Sequence, residues 1–97
     1  MTAYLIANIE VTDAAGFERY RAGVSAIIAQ YGGRYLVRGG AVTAVEGTPG
    51  INRLVVLEFP TMDQLRTFYD SAEYAPLLKL RLASSHSETV LAEGYAP

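Results

Sequence analysis

Two stretches of the chain, residues 3–11 and 52–59, are apolar at most positions and are bounded by turn-forming or helix-starting residues. This pattern predicts two β-strands that are apolar on both faces. Between them, apolar side chains recur at spacings of three and four, as one buried face of an α-helix requires. These positions are Phe17, Tyr20, Val24, Ile27, Ile28 and Tyr31. The pair Gly32-Gly33 predicts the end of this helix, with one glycine as its left-handed cap.

The remaining segments complete a regular order of elements. Arg34 to Val37 is predicted to be a strand that bulges or bends at Gly39-Gly40 and continues over residues 41–46. Thr61 and Gln64 have the spacing of a capping box, which predicts the start of the second helix. The other predicted elements are a turn at residues 47–50, a short helical piece at residues 74–82 and a last strand at residues 84–93.

The resulting order, β-α-β-β-α-β, predicts an α+β, ferredoxin-like fold in a single domain over residues 1–97. In this fold two helices cover one face of a four-stranded antiparallel sheet. The first and third strands are apolar on both faces, so the second face also needs cover, since monomers rarely leave large apolar patches in water. We therefore expect a two-fold homodimer that packs sheet to sheet.

Composition excludes several classes of function. The chain has 8 basic and 10 acidic residues, a net charge of −2 and no basic cluster, so no nucleic-acid partner is expected. No apolar run approaches the roughly 20 residues that cross a bilayer, so no membrane partner is expected. The first residues do not resemble a signal peptide, which makes the cytoplasm the expected location. With one histidine and no cysteine, we expect no metal site and no cofactor.

Four segments resemble the domain of unknown function 1330 family, which belongs to the dimeric α/β-barrel superfamily. They are Tyr4-Leu5-Ile6-Ala7-Asn8-Ile9, Tyr31-Gly32-Gly33-Arg34-Tyr35-Leu36-Val37-Arg38-Gly39-Gly40, Arg53-Leu54-Val55-Val56-Leu57-Glu58-Phe59-Pro60 and Arg81-Leu82-Ala83-Ser84-Ser85. The resemblance covers nearly the whole chain and implies the fold and the paired-sheet dimer. It implies no reaction, because the superfamily includes cofactor-independent oxygenases, lactone isomerases, chlorite-dismuting haem enzymes and ligand-binding domains.

Arg38 and Glu58 are the first candidates for a binding site. Regular alternation places Arg34, Leu36 and Arg38 on one strand face, where Arg38 is either a clamp for a carboxylate ligand or a structural ion-pair partner. A simple hairpin puts Arg38 opposite Phe59, whereas one bulge residue at Gly39-Gly40 puts it opposite Glu58. Glu58 is expected on a central strand, where a carboxylate must be paired or have a shifted pKa. It is therefore a candidate catalytic acid or base, or a structural partner.

His86 is the leading candidate for a general base, because its unperturbed pKa lies near neutrality; the alternative is a solvent-facing strand residue. Asn8 is the one amide in an apolar strand and either holds a ligand oxygen or satisfies a nearby backbone group. Tyr69 and Tyr74 are predicted at the rim of a cleft, where an apolar ring with a hydroxyl is well suited. Ser85, beside His86, is a further candidate contact, although serines here also fit turns and strand edges.

These residues predict a small dimeric protein that binds an acidic or carbonyl-containing molecule. The cleft would lie between sheet and helices and be lined by Asn8, Arg38, Glu58 and His86. One alternative is a cofactor-independent enzyme, an isomerase or monooxygenase-like protein, with His86 or Glu58 as the base. Another is a structural or interaction module without catalysis. The sequence leaves open which of the three applies.

Overall fold

In the computed structural model, which describes residues 1–97, the chain forms four strands and three helices. The strands form one antiparallel sheet in the order β2-β3-β1-β4, with the helices on one face, so the predicted ferredoxin-like α+β fold is confirmed. In chain order the elements are β1 (Ala3–Val11), α1 (Ala14–Gln30), β2 (Arg34–Arg38), β3 (Arg53–Phe59), α2 (Met62–Tyr69), α3 (Ala75–Ser84) and β4 (Ser85–Glu93).

The helix boundaries follow from local hydrogen bonds and backbone geometry. The Asp13 side chain caps α1 by accepting a hydrogen bond from the Gly16 N–H, with 3.2 Å between Oδ1 and N. α1 ends before Gly32, whose φ of 85° lies in the left-handed region. Thr61 caps α2, because its Oγ1 accepts from the Gln64 N–H at 3.1 Å.

The hydrophobic core lies between the sheet and the helices. Odd-numbered residues of β1 are buried beneath the helices, and even-numbered residues point to the other side of the sheet. We call these sides the helix face and the open face. Core side chains include Leu5, Ala7, Ile9, Phe17, Val24, Ile28, Leu57, Phe59, Leu65, Phe68 and Tyr74. Residues on the open face include Tyr4, Ile6, Asn8, Arg34, Val37, Leu54, Val56, Glu58, His86, Glu88 and Val90.

A β-bulge in β2 changes the direction of the side chains that follow it. Tyr35 pairs with Leu57 of β3 and Val37 pairs with the adjacent Val56, so one extra residue, Leu36, stands unpaired between them. Arg38 then pairs with Val55, on the helix face. The prediction of a shared face for Arg34, Leu36 and Arg38 is therefore wrong, as is the pairing of Arg38 with Glu58 or Phe59. The physical reason is that the bulge precedes Val37 instead of lying at the glycine pair.

Two further boundaries differ from the prediction. Residues 41–46 form no strand: residues 40–50 are an exposed loop, and the side chain of Val45 is 90% exposed. α3 extends to Ser84, whose hydroxyl donates to the Leu80 carbonyl one turn earlier. None of the helices has both the length and the apolar character needed to cross a membrane.

Candidate functional site

A cavity lies between the helix face of the sheet and helices α1 and α3, with about 30 Å³ of space for the centres of water-sized molecules. We call it the arginine cavity, because four of its fourteen lining residues are arginines and none is an aspartate, glutamate or histidine. The lining residues are Leu5, Ala7, Ile9, Phe17, Tyr20, Arg21, Ile28, Tyr35, Arg38, Arg53, Val55, Leu57, Tyr74 and Arg81.

Aromatic rings form much of the wall of the arginine cavity. The ring centroids of Phe17 and Tyr20, both on α1, are 5.6 Å apart, and those of Tyr20 and Tyr74 are 6.5 Å apart. The hydroxyl oxygens of Tyr20 and Tyr74 are 3.1 Å apart, within hydrogen-bonding distance of each other. Flat apolar surfaces with a few converging hydroxyls are typical of sites that bind small organic molecules.

Arg81 of α3 is buried in this cavity without a carboxylate partner. It is only 2% exposed, and neither ion pair of the molecule includes it. Its Nη1 donates to the Thr89 hydroxyl at 3.2 Å and its Nη2 to the Tyr69 hydroxyl at 3.4 Å, whereas its Nε has no partner. Buried charges are normally paired, so this guanidinium is an unusual group in a protein core.

Of the other three arginines of the cavity, two contact aromatic rings and one contacts a carboxylate. The Arg38 guanidinium lies over the Tyr35 ring, 4.7 Å from its centroid, and the Arg53 guanidinium lies 5.7 Å from the centroid of Phe17. Arg21 alone has a carboxylate partner, Glu18 at 3.3 Å, and both side chains of this pair are substantially exposed. The cavity is therefore positively charged in a chain whose net charge is −2.

Burial raises the pKa of Tyr20 well above its usual value, and it also raises the pKa of Tyr74 despite the nearby positive charge of Arg81. Both phenols therefore stay protonated at neutral pH and can donate hydrogen bonds. The arginine cavity thus offers positive charge and hydroxyl donors to a bound molecule, but no side chain that accepts a proton at neutral pH.

Three of the predicted site residues lie at or behind the arginine cavity. Arg38 and Tyr74 line it, and Tyr69 holds Arg81 through its hydroxyl. Ser85 is buried beside Arg81, where its hydroxyl donates to the Arg81 carbonyl oxygen at 2.6 Å. This hydrogen bond therefore connects the start of β4 to the last turn of α3.

The predicted cleft that joins Asn8, Arg38, Glu58 and His86 is wrong, because Arg38 alone of the four lies on the helix face. On the open face, Asn8 anchors the long loop: its side chain donates to the Gly50 carbonyl at 3.0 Å and accepts from the Asn52 N–H at 2.9 Å. His86 is exposed in β4, opposite Glu10 of β1.

Glu58 forms an ion pair with Arg34 and not with Arg38. Its Oε1 lies 2.8 Å from the Nη2 of Arg34, and the two residues are directly opposite each other on β3 and β2. The hydrogen bond from Arg34 holds the pKa of Glu58 below its usual value, so the carboxylate is ionised at neutral pH. Glu58 therefore has the partner that its structural alternative requires, and this partner is Arg34.

Sequence reasoning missed Arg21, Arg53 and Arg81, although two of them carried a signal. Arg53 precedes Val55, Leu57 and Phe59 at the period of two that defines the inward face of β3. Arg81 follows Tyr74 and Leu77 at helical spacings. A charged residue at an inward position of an apolar repeat is the pattern to look for. The structure contains no group of three or more histidine, aspartate or glutamate side chains that could hold a metal ion.

Several solved structures share this fold. A protein of unknown function from Rhodopseudomonas palustris has a TM-score of 0.79 at 13% identity, covering 99% of this chain and 84% of that chain. SnoaB, a cofactor-independent oxygenase from Streptomyces nogalater, has a TM-score of 0.68 at 20% identity, covering 99% of this chain and 95% of that chain. A dimeric ferredoxin-like protein of unknown function from Jannaschia sp. CCS1 has a TM-score of 0.66 at 14% identity, covering 97% of this chain and 100% of that chain.

Identities this low establish a common fold and nothing about the reaction. No curated protein is similar enough to this chain to count as a match. A family model gives a direct assignment that agrees with the resemblance of the four segments. Because the model described as Domain of unknown function (DUF1330) matches residues 2–95, the chain belongs to the DUF1330 family.

Proposed function

We propose that the protein binds a small acidic organic molecule in the arginine cavity. The observation that carries this proposal is the burial of Arg81 at 2% exposure with no carboxylate beside it. A cation in a protein core is stable only when an opposite charge or several good hydrogen bonds compensate the loss of water. Arg81 has two hydrogen bonds to neutral hydroxyls, and its Nε is unpartnered, so an acidic ligand would supply the missing compensation.

The chemistry of the walls supports an acid with a flat, apolar body. A guanidinium presents donors in one plane, which matches the two oxygens of a carboxylate. Phe17, Tyr20 and Tyr74 offer ring surfaces beside it. Of the residues predicted from the sequence, Arg38, Tyr69 and Tyr74 belong to this proposal, whereas Asn8 and Ser85 already have hydrogen-bond partners within the chain.

We also propose that the protein acts as a cytoplasmic homodimer of this single domain, with the open faces of the two sheets packed together. Ile6, Val56 and Val90 are side chains of the open face, and Val90 is 59% exposed. The similar Jannaschia protein is described as dimeric. Val56→Arg should give a monomer in sedimentation experiments, because it places a charge at the centre of the open face. Ala26→Arg, on the exposed side of α1, is the control and should remain dimeric.

The second candidate is a cofactor-independent enzyme, for which the shared fold with SnoaB and the Tyr20–Tyr74 hydroxyl pair are the supporting observations. In this candidate the arginines and phenols would stabilise negative charge that develops on a bound substrate. A base is absent from the cavity lining. The two predicted bases, Glu58 and His86, lie on the open face and could act only there. A shallow pocket on that face is lined by residues that include Asn8, Asn52 and His86.

The test is a thermal-shift screen of the purified protein against organic acids, each paired with its neutral amide, and against aldehydes and lactones. The proposal expects acids to raise the midpoint of wild type and Arg19→Met, an exposed arginine of α1, but not that of Arg81→Met. Equal shifts from acid and amide would contradict it. Turnover of a binding compound that survives the loss of both Glu58 and His86 would remove these two residues as bases. No binding, with a less stable Arg81→Met variant, would favour a structural module.

A further inference from the structure

The four arginines of the cavity lie at different depths. Arg81 is almost completely buried, Arg21 and Arg53 are half-buried, and Arg38 at the end of β2 is exposed. Only Arg21 has a carboxylate partner, so three guanidinium groups face one cavity without an acid. Like charges around one space repel each other, and a single negative charge at Arg81 would leave both outer groups without an opposite charge. Of these two, Arg38 is exposed to water, whereas Arg53 is half-buried and its Nε has no partner.

The outer pair, Arg38 and Arg53, is brought together by the local structure of β2 and β3. The bulge at Leu36 puts Arg38 on the helix face opposite Val55, and Arg53 lies two residues from Val55 on that same face. Side chains in such diagonal positions on neighbouring strands are roughly 7–8 Å apart at their origins, which lets long side chains reach a common group.

Gly39 is a second, independent feature of the same place. Its φ is 71°, and a Cβ atom built there would lie 2.5 Å from Nη1 of Arg53, closer than nonbonded atoms approach. The Arg53 guanidinium therefore occupies the space that any other residue at this position would fill. Tyr35 and Phe17 support the flat sides of Arg38 and Arg53. The Arg38 Nη2 donates to the Ser25 hydroxyl at 3.4 Å, and the other donors at the edges of the two groups remain for a ligand.

We infer that the ligand of the arginine cavity is a flat molecule with two acidic groups, one held by the buried Arg81 and the other by Arg38 and Arg53. This inference rests on the proposed function and specifies its ligand class. The two acids would stand at opposite ends of a body that packs against the rings of the cavity. A molecule with one acid would bind through Arg81 alone and leave the outer arginines in water.

The experiment measures dissociation constants by calorimetry for isophthalate, terephthalate and naphthalene dicarboxylate, each compared with its monoamide, which has the same shape and one charge fewer. At least one diacid should bind wild type about tenfold more tightly than its monoamide, as one charge-assisted contact predicts. In Arg38→Met, or in Arg53→Met, the diacid should fall to the affinity of the monoamide, whose own affinity stays unchanged. In Arg81→Met both compounds should lose affinity.

The possible results distinguish a failure of this inference from a failure of the proposed function. Equal binding of diacid and monoamide to wild type, with both lost in Arg81→Met, would overturn the inference and leave the proposed function intact. A preference for the diacid that persists in both Arg38→Met and Arg53→Met would also overturn it. If none of these compounds binds wild type, the inference fails together with the proposal that the cavity binds flat acids.

Discussion

The Tyr69 hydroxyl lies 3.4 Å from the Nη2 of Arg81 and is one of only two side-chain groups that hydrogen-bond this buried guanidinium. Both acceptors, Tyr69 and Thr89, are neutral. A charge held in this way is positioned, but it is not compensated. Arg81 should therefore lower the stability of the ligand-free fold and raise the affinity of the cavity for an acidic ligand.

We therefore expect Arg81→Met to be more stable than wild type when no ligand is present. Methionine has a similar volume and needs no compensating charge, and replacing buried charged groups by apolar ones has raised the free energy of unfolding by about 1–4 kcal/mol in other proteins. Tyr69 is half-buried and can regain a water molecule. Urea denaturation without ligand measures the effect, with Arg19→Met as the exposed control. A loss of more than about 1 kcal/mol would identify Arg81 as a structural residue.

The bulge in β2 makes a second prediction. With Leu36 deleted, Tyr35 and Val37 become neighbours, and regular alternation still places Tyr35 and Arg38 on the helix face and Val37 on the open face. The deletion should therefore keep the fold and the position of Arg38, at a cost of about 1–2 kcal/mol for the lost side chain and local twist. A crystal structure of the deletion variant tests this. Arg38 found on the open face would contradict the register in which Leu36 is the one extra residue of β2.

The same bulge explains how far the sequence could predict the site. Periodicity and turn residues were enough for the element order, the caps and the two-faced strands, because each depends on neighbouring residues. The direction of the Arg38 side chain depends on where one extra residue enters a five-residue strand. The sequence of residues 34–38 is compatible with Arg38 on the helix face or on the open face. Arg53 and Arg81 were detectable as charges in apolar repeats. Their lack of carboxylate partners was not, because it depends on contacts between distant segments.

A third prediction concerns the pH dependence of the contact between Tyr31 and Glu73. The Tyr31 hydroxyl donates to Oε2 of Glu73 at 2.8 Å, which lowers the pKa of Glu73 and raises that of Tyr31. A lowered carboxyl pKa stabilises the fold above the unfolded value near 4.5, and this contribution disappears as the pH falls through the folded pKa. A raised phenol pKa stabilises the fold below about 10, and this contribution disappears as the pH rises through the folded pKa.

Tyr31→Phe removes both effects at once. The difference in free energy of unfolding between wild type and this variant should be constant from about pH 6 to 9 and shrink on either side, in the directions that the two shifted pKa values require. Urea denaturation across this range measures it. Tyr95→Phe, which changes an 89% exposed tyrosine, is the matched control and should show no such window. A difference that does not vary with pH would mean that the hydrogen bond is not formed in solution.

The last prediction separates the roles of two glycines that look alike in the sequence. Gly33 and Gly40 each follow another glycine, and neither has a positive φ, so alanine strains the backbone at neither position. A Cβ atom at Gly33 would overlap the ring of Phe59, which is fully buried and packs against Phe68 with 5.2 Å between centroids. A Cβ atom at Gly40 would meet nothing within 4 Å.

Gly33→Ala should therefore destabilise the protein by about 1–3 kcal/mol, as overpacking of a core does. Gly40→Ala should be neutral or stabilising by about 0.4–1 kcal/mol, because alanine restricts only the unfolded chain. Thermal denaturation of the two variants side by side measures the contrast. Equal midpoints would mean that the Phe59 ring moves aside without cost, and the close approach of Gly33 would then not explain why this turn carries two glycines in succession.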